Sequence, residues 1–438
     1  MKSMNLEAGS FVETASYAGV SILDSAGSAK YKVVSPSDFV GVVDELGDHT
    51  LNNGNIAVLQ KEIVYPEQYG AVTGASSTQV TNALNRCAEL LESFPSEWKG
   101  PYTVNDVINL PDASTWELAT SRRCVITQEK NNTPILKMTV SQFRFGFKIG
   151  DFEFKWLNNQ PAENVNSIGL AFSTTVDNPD GIFNFEIGTL VNENGYRCMA
   201  VHPDAAGFKL PIWGANINSL QGQSLSTGAV FAANTPLPSG APRTTINDFY
   251  SNATSAVEPT LDVRIHNSLK INNAEFNNGS GRLALIQSSR NCSIGTLRIE
   301  NSTLDAGEDF IAVSGQNASL NVDVLEIDSC STDATSDVYG IKADTGGTVN
   351  ITGRINTHDI TSTGGGTFAL FRPDNVAVDR FIIPSNTSID IADANTRLYL
   401  TGNAKGISFT SAIPLGPFFS NALPATVAGK ALLVGHAG

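Results

Sequence analysis

Isoleucine recurs every 28 residues through the second half of the chain, at Ile271, Ile299, Ile327, Ile355 and Ile383. Each is followed two places later by a small polar residue: Asn273, Asn301, Ser329, Thr357 and Ser385. Other columns keep the same register: Leu269, Leu297 and Leu325; Leu283, Ile311 and Tyr339; Leu285, Val313 and Ile341; Ile294 and Val322. Within each period, short apolar–polar alternations are parted by Gly, Asn, Ser and Asp. Alternation of period two is the mark of a half-buried strand. Self-similarity at a fixed period of roughly 20–50 residues marks a stacked architecture. One period has room for roughly three strands of about five residues plus turns. Coils stacked about 4.8 Å apart would set each Ile over the next, a dry ladder with the intervening polar side chains in solvent. The pattern predicts a parallel β-solenoid, with the repeat confined to about 268–386. A leucine-rich repeat is shorter and carries a Leu/Asn consensus, helical repeats lack this alternation, and a sandwich would not hold one register through five copies.

One helix is predicted, over 76–93. Val80, Ala83, Leu84, Cys87, Leu90 and Leu91 make a single apolar face, and Ser76, Ser77 or Thr78 can cap it. Just before it, Gln68–Val72 reads as a short strand. Residues 1–62 read as a small β-rich module with strands near Tyr31–Val34 and Ile56–Leu59 and a tight turn at Asn53-Gly54. From 100 to 265 short strands alternate with turns; Gln142–Ile149 and Phe152–Trp156 alternate strictly. After 386 the register fades into apolar stretches broken by Pro and Gly. Such a tail is an aggregation hazard unless an oligomer covers it.

Charged residues are only 16% of the 438, against 41% hydrophobic. The surface is therefore largely uncharged Asn, Ser, Thr and Gly, which suits strands and turns better than helices. Twenty-eight basic residues against 43 acidic ones give a formal charge of −15, which repels phosphate backbones and argues against nucleic-acid binding. The five cysteines, Cys87, Cys124, Cys198, Cys292 and Cys330, form no CxxC pair and have no His at metal spacing. No disulfide framework, structural metal or cofactor is expected. No apolar run reaches the length of a membrane span, and the first residues lack the pattern of a signal peptide.

Tyr69-Gly70-Ala71-Val72, then Thr78, Ala83, Leu84 and the small Ala88, give the order of a YGA segment, a Thr-rich turn and an amphipathic helix before a solenoid. This order resembles the start of the right-handed parallel β-helix of phage tailspikes and pectate-lyase-like proteins. The family's Gly-Asp-Gly and Asp-Asp-Thr pieces are replaced here by Thr73–Thr78. Gly47–Leu59 is similar to the neck of short tailspikes. The resemblance implies an all-β chain: an N-terminal virion-attachment and neck module at 1–62, a first strand and capping helix at 63–99, the β-helix at 100–386, and an irregular β region sealing a trimer at 387–438. It also implies a homotrimer bound to a virion tail or adaptor protein, recognising a host surface polysaccharide and often cleaving it. A chain without a signal peptide would reach the outside in a virion released by lysis.

Cleavage of a glycosidic bond needs two carboxyl groups, about 5–5.5 Å apart for retention and roughly 6.5–9.5 Å for inversion. Stacking like residues on adjacent coils supplies the shorter distance. Glu300 and Asp328 each follow a ladder Ile and should point outward on neighbouring coils. Asp305 and Asp333 share the spacing, as do Asp309 and Asp337, the two pairs arising from one Asp-Ala-x-x-Asp pattern. These turn aspartates equally fit the capping of local N–H groups, and Glu300 equally fits beside a mixed-charge column of Arg298, Glu326 and Arg354, pairing with its arginines. Trp156, Trp213, Tyr339 and Phe371 are candidates for stacking on sugar rings, or else for core packing. Four readings stand: a receptor-binding spike, a glycan depolymerase on the same fold, a secreted pectate-lyase-like enzyme, against which the missing signal peptide argues, and a structural tail part without glycan contact.

Overall fold

The computed structural model describes residues 2–15, 28–40, 43, 45, 47–178, 180–223, 229–232, 243–252, 259–264, 268–305, 307–366, 368–373, 380–382, 388–391, 396–397 and 408–409. Two long parallel sheets run its length. One has 16 strands, from Ser96–Trp98 to Ser408–Phe409, and the other 11, from Ile108–Leu110 to Thr396–Arg397. The chain passes from one sheet to the other in every coil, so this is the expected parallel β-solenoid. Two three-stranded sheets lie at turns, one from Arg144–Phe145, Ile182–Phe183 and Ile212–Trp213, the other from Thr303–Leu304, Ser331–Thr332 and Thr361–Ser362.

The uniform period is corrected. In the long sheet Thr245, Lys270, Ser293, Asn321 and Asn350 are successive partners, and the interval between them changes from coil to coil. Ile271 lies beside Ile294, while Phe276 lies beside Ile299. Ile355 lies beside Leu325, and Ile327 beside Thr357. In the second sheet Ile311 pairs with Ala284 and Ile341, so the columns Leu283–Ile311–Tyr339 and Leu285–Val313–Ile341 are also out of register. Ile299–Ile327, Leu297–Leu325 and Ile294–Val322 stand as expected. The cause is local. Strand Cys292–Glu300 buries Cys292 and Ile294, then shifts phase and buries Leu297 and Ile299. Ile294 and Ile299 therefore both point inward on one strand. The true step runs from Ile271 to Ile294, and reading on to Ile299 imitates a longer one. The real ladder is longer than predicted and buried throughout: Leu118, Ile149, Ile187, Ile217, Ile246, Ile271, Ile294, Val322 and Ile351. Ile383 lies outside the described residues. Strand pairing also continues past 386, since Ser388–Ile391 pairs with Thr348–His358 and then with Ser408–Phe409. Apart from these strands and Thr396–Arg397, which pairs with Phe368–Pro373, the expected trimer-sealing segment is outside the described residues.

Helix Ser77–Leu90 caps the solenoid. Ser76 accepts from the Gln79 N–H at 3.3 Å while the Gln79 side chain accepts from the Ser76 N–H at 3.0 Å, a capping box. Val80, Ala83, Leu84, Cys87 and Ala88 are buried against the first coil. Asn85 accepts from the N–H of Asn109 at 2.8 Å, closing one donor on the terminal strand Ile108–Leu110 of the second sheet. An open sheet edge is a template for unwanted pairing, and the helix covers this one. Two strand expectations fail here. Pro66–Tyr69 is a 3-10 turn ended by Gly70 in the left-handed region (φ 107°). Gln142–Ile149 is broken at Gly146 (φ 71°) into Arg144–Phe145 and Lys148–Ile149.

The N-terminal sheet is antiparallel, in the order Phe11–Thr14, Ala29–Val34, Ile56–Leu59, His49–Thr50. Gly54 turns back at φ 83°, as Asn53-Gly54 suggests. Its apolar side (Tyr31, Val33, Leu51, Ala57 and Leu59) joins Tyr69 and the helix in one continuous core, so it is less separate than its sequence implies.

Candidate functional site

Glu300 and Asp328 are cross-strand partners on the outer side of the long sheet. Strand alternation alone places them there, as Ile299 and Ile327 point into the core. Each strand then turns through a left-handed residue: Asn278, Asn301, Ser329 and Asp359, with φ 55°, 48°, 52° and 51°. Three of these donate to the next coil, Asn278 N–H to the Glu300 carbonyl at 3.1 Å, Asn301 to Asp328 at 3.1 Å and Ser329 to His358 at 3.0 Å. Small polar residues recur here because Asn and Asp tolerate this conformation. Asn301 and Ser329 belong to this column; Asn273 and Thr357 do not.

Two outward columns run side by side at this end of the sheet. One is Tyr250, Glu275, Arg298, Glu326 and Asn356; the other is Asn252, Asn277, Glu300, Asp328 and His358. Arg298 separates the acids: its guanidinium lies 2.8 Å from Glu300 and 3.7 Å from Glu326. His358 Nδ1 is 3.1 Å from Asp359 and 3.9 Å from Asp328, and the Ser329 hydroxyl donates to Asp328 at 3.1 Å. Burial, with the carboxylates of Glu275 and Glu300 nearby, raises the Tyr250 phenol, keeping it a neutral donor. Arg298, Glu326, Ile327, Asp328, Asn356 and His358 line a shallow groove of about 290 Å³. Glu300, Asp328, Arg298 and Glu326 are all legible in the repeat. His358 is not, because the step from Asp328 into its strand is longer than the apparent period.

The other predicted acids divide. Asp305 and Asp333 follow directly on the paired Leu304 and Thr332 and are both exposed on the turn sheet. Asp309 is corrected to a structural role. It is only 2% exposed and accepts two hydrogen bonds from Arg282, at 2.7 and 2.8 Å. It pairs with Tyr339, not Asp337, because this step too is longer than the apparent period.

The aromatics divide as well. Trp156 is corrected to core: it is 2% exposed and its indole donates to the Thr133 carbonyl at 3.2 Å. Phe371 is buried too. Tyr339 is half-buried beside Asp309. Trp213 is half-buried on the outside and is the end of a stack that the sequence reading missed. Phe143 stacks on Phe183 at 4.8 Å, Phe183 on Trp213 at 4.7 Å, and Phe145 lies 5.7 Å from Phe183. Strict alternation would set Phe143, Phe145 and Phe147 on one side; the break at Gly146 instead turns Phe147 into the core and leaves Phe143 and Phe145 outside, so the stack has no signal in the sequence.

A second groove of about 340 Å³ lies further along the same face, lined by Glu186, Asn216, Asn218, Thr245 and Asn247 among others. Its floor is an amide ladder. Asn272 donates to Asn247 at 2.9 Å, Asn247 to Asn218 at 3.5 Å, and Asn218 to Thr189 at 3.1 Å.

No family model matches the chain, and no curated protein does. Solved structures are similar. The enzymatically active domain of tailspike protein 2 of Bacteriophage CBA120 aligns over 88% of this chain and 59% of its own, with 11% identity and a TM-score of 0.46. The tailspike of Acinetobacter phage vB_ApiP_P1 aligns over 92% and 64%, with 12% identity and a TM-score of 0.47. That of Acinetobacter phage vb_AbaP_AS12 aligns over 96% and 77%, with 11% identity and a TM-score of 0.41. The chain thus spans about three-fifths of the length of the first two. At these identities and scores the likeness adds nothing to the strand pairings above, on which the fold rests.

Proposed function

We propose that the chain is a tailspike-type receptor-binding protein of a virion tail that recognises a host surface polysaccharide on the outer side of its long sheet. The observation that carries this is the groove at Arg298, Glu326, Asp328, Asn356 and His358. Its donors and acceptors repeat from coil to coil at the strand spacing, about 4.8 Å. A chain of sugars presents hydroxyls in a similar periodic way, so a rigid polar ladder matches it with little ordering cost. The amide ladder through Asn218, Asn247 and Asn272 extends the same kind of surface. Trp213 with Phe183 and Phe145 offers an apolar edge for sugar ring faces. In this reading the spike is a homotrimer, and the N-terminal sheet attaches to a tail or adaptor protein.

The adjacency of Glu300 and Asp328 favours a second reading, endoglycosidase action on the bound glycan. Strands about 4.8 Å apart can bring facing carboxylates close to the roughly 5–5.5 Å that retaining hydrolysis uses. Fluorescently labelled full-length chain is added to host cells and to their purified polysaccharide, and binding and new reducing ends are read in parallel. Binding without reducing ends supports the receptor reading. Reducing ends that vanish in both Glu300→Gln and Asp328→Asn support the hydrolase. Neither binding nor cleavage on any susceptible host leaves only a structural part and overturns both.

A further inference from the structure

Asp328, His358 and Asp359 bring three ligand atoms within 4.8 Å of one another. We propose that they form a binding site for a divalent first-row metal ion at the rim of the groove. The inference goes beyond the glycan reading and does not depend on it.

Both carboxylates converge on the same ring nitrogen. Nδ1 of His358 is 3.1 Å from an oxygen of Asp359 and 3.9 Å from an oxygen of Asp328. In neutral imidazole with its lone pair on Nδ1, three acceptors would face one point. The neutral Nδ1–H tautomer can satisfy this contact by donating to a carboxylate, and a metal ion can take that proton's place with all three groups as ligands. Ligands about 2.0–2.2 Å from a metal sit roughly 3 Å from each other. The His358–Asp359 distance already meets this, and the Asp328 contact needs a contraction of under an ångström.

The framework is held where it must be held. Asp328 and His358 are cross-strand partners, and their backbones are fixed by the sheet. The Ser329 hydroxyl donates to Oδ1 of Asp328, the same oxygen that faces His358, and so fixes the carboxylate's orientation. Asp359 is the left-handed residue that ends the strand, which brings its carboxylate back over the histidine before it. One nitrogen and two oxygens suit Mn²⁺, Zn²⁺ or a neighbouring ion better than Ca²⁺, which takes oxygen alone. The remaining coordination positions would open to the groove, where Asn356 and Glu326 stand. Water, or paired hydroxyls of a ligand, can fill them.

The test uses Mn²⁺ with the full chain, because five buried thiols would complicate zinc. Titration calorimetry of the wild type should show one site per chain. His358→Ala and Asp359→Asn should each weaken it at least about tenfold, the lower end of what even outer-shell changes cost. Both side chains are exposed, and thermal melts without metal should match the wild type. Mn²⁺ should also broaden the ring signals of His358 selectively in NMR spectra. No binding, or equal binding by both variants, overturns the site. So does a His358 ring whose signals are indifferent to Mn²⁺. Glycan binding, read separately in chelator, keeps this outcome apart from the receptor reading.

Discussion

Asp309 and Arg282 illustrate how unequal two ends of one ion pair can be. Asp309 is sealed in the wall, while the Arg282 side chain is 42% exposed. Arg282→Ala leaves a buried carboxylate without its partner and should cost about 3 kcal/mol in denaturant unfolding. Asp309→Asn leaves an arginine that can turn to water and should cost less. Equal losses would contradict this geometry. The five cysteines make a second residue-scale case. All are free and buried; burial pushes Cys198, Cys292 and Cys330 up to about 12. A thiol reagent at neutral pH should label none of them in the native chain and all five after unfolding. The folded thiols hold their protons more tightly than unfolded ones, near 8.5. Their contribution is therefore intact below that pH and is lost as pH rises toward 12. Of the site, Glu300 and Asp328 were legible because the step that joins them equals the apparent period of the isoleucines. His358 and the true partner of Asp309 were not. Each lies two places beyond the position that a column of fixed period selects.

At the level of the element, the helix was the most readable part. Its apolar spacing, cap and direction follow from local sequence, and Ser76→Ala should lower stability by about 1 kcal/mol through loss of the capping box. Asn85 was less readable, since its role is to close a donor on a distant strand, at Asn109. Asn85→Leu should leave helix content unchanged by circular dichroism but raise aggregation of the isolated chain. The solenoid strands lie between these cases. Their inward alternation fixes what is buried, but turn lengths set the step, and turns vary freely on the surface. Ile294→Ala removes a methyl-rich side chain between Ile271 and Val322 and should cost about 2–5 kcal/mol. In double-mutant cycles Ile355 should couple more strongly to Leu325, its cross-strand partner, than to Ile327, its counterpart in the apparent period.

For the whole molecule, the two long sheets of the solenoid repeat polar groups along its surface. Its formal charge of −15 sets a field that disfavours strongly anionic partners and should make their association rise with salt. The central claim is that the groove at Arg298 and Asp328 is where a surface polysaccharide is held. The most direct measurement is the equilibrium binding of purified host polysaccharide to wild type, to Glu326→Lys and Asp328→Asn, and to Lys30→Glu on the N-terminal sheet. The account predicts at least about a tenfold loss for both groove variants, as for removal of hydrogen bonds to charged groups, with Lys30→Glu unchanged. Groove variants that bind as tightly as wild type, with folding intact, would contradict it.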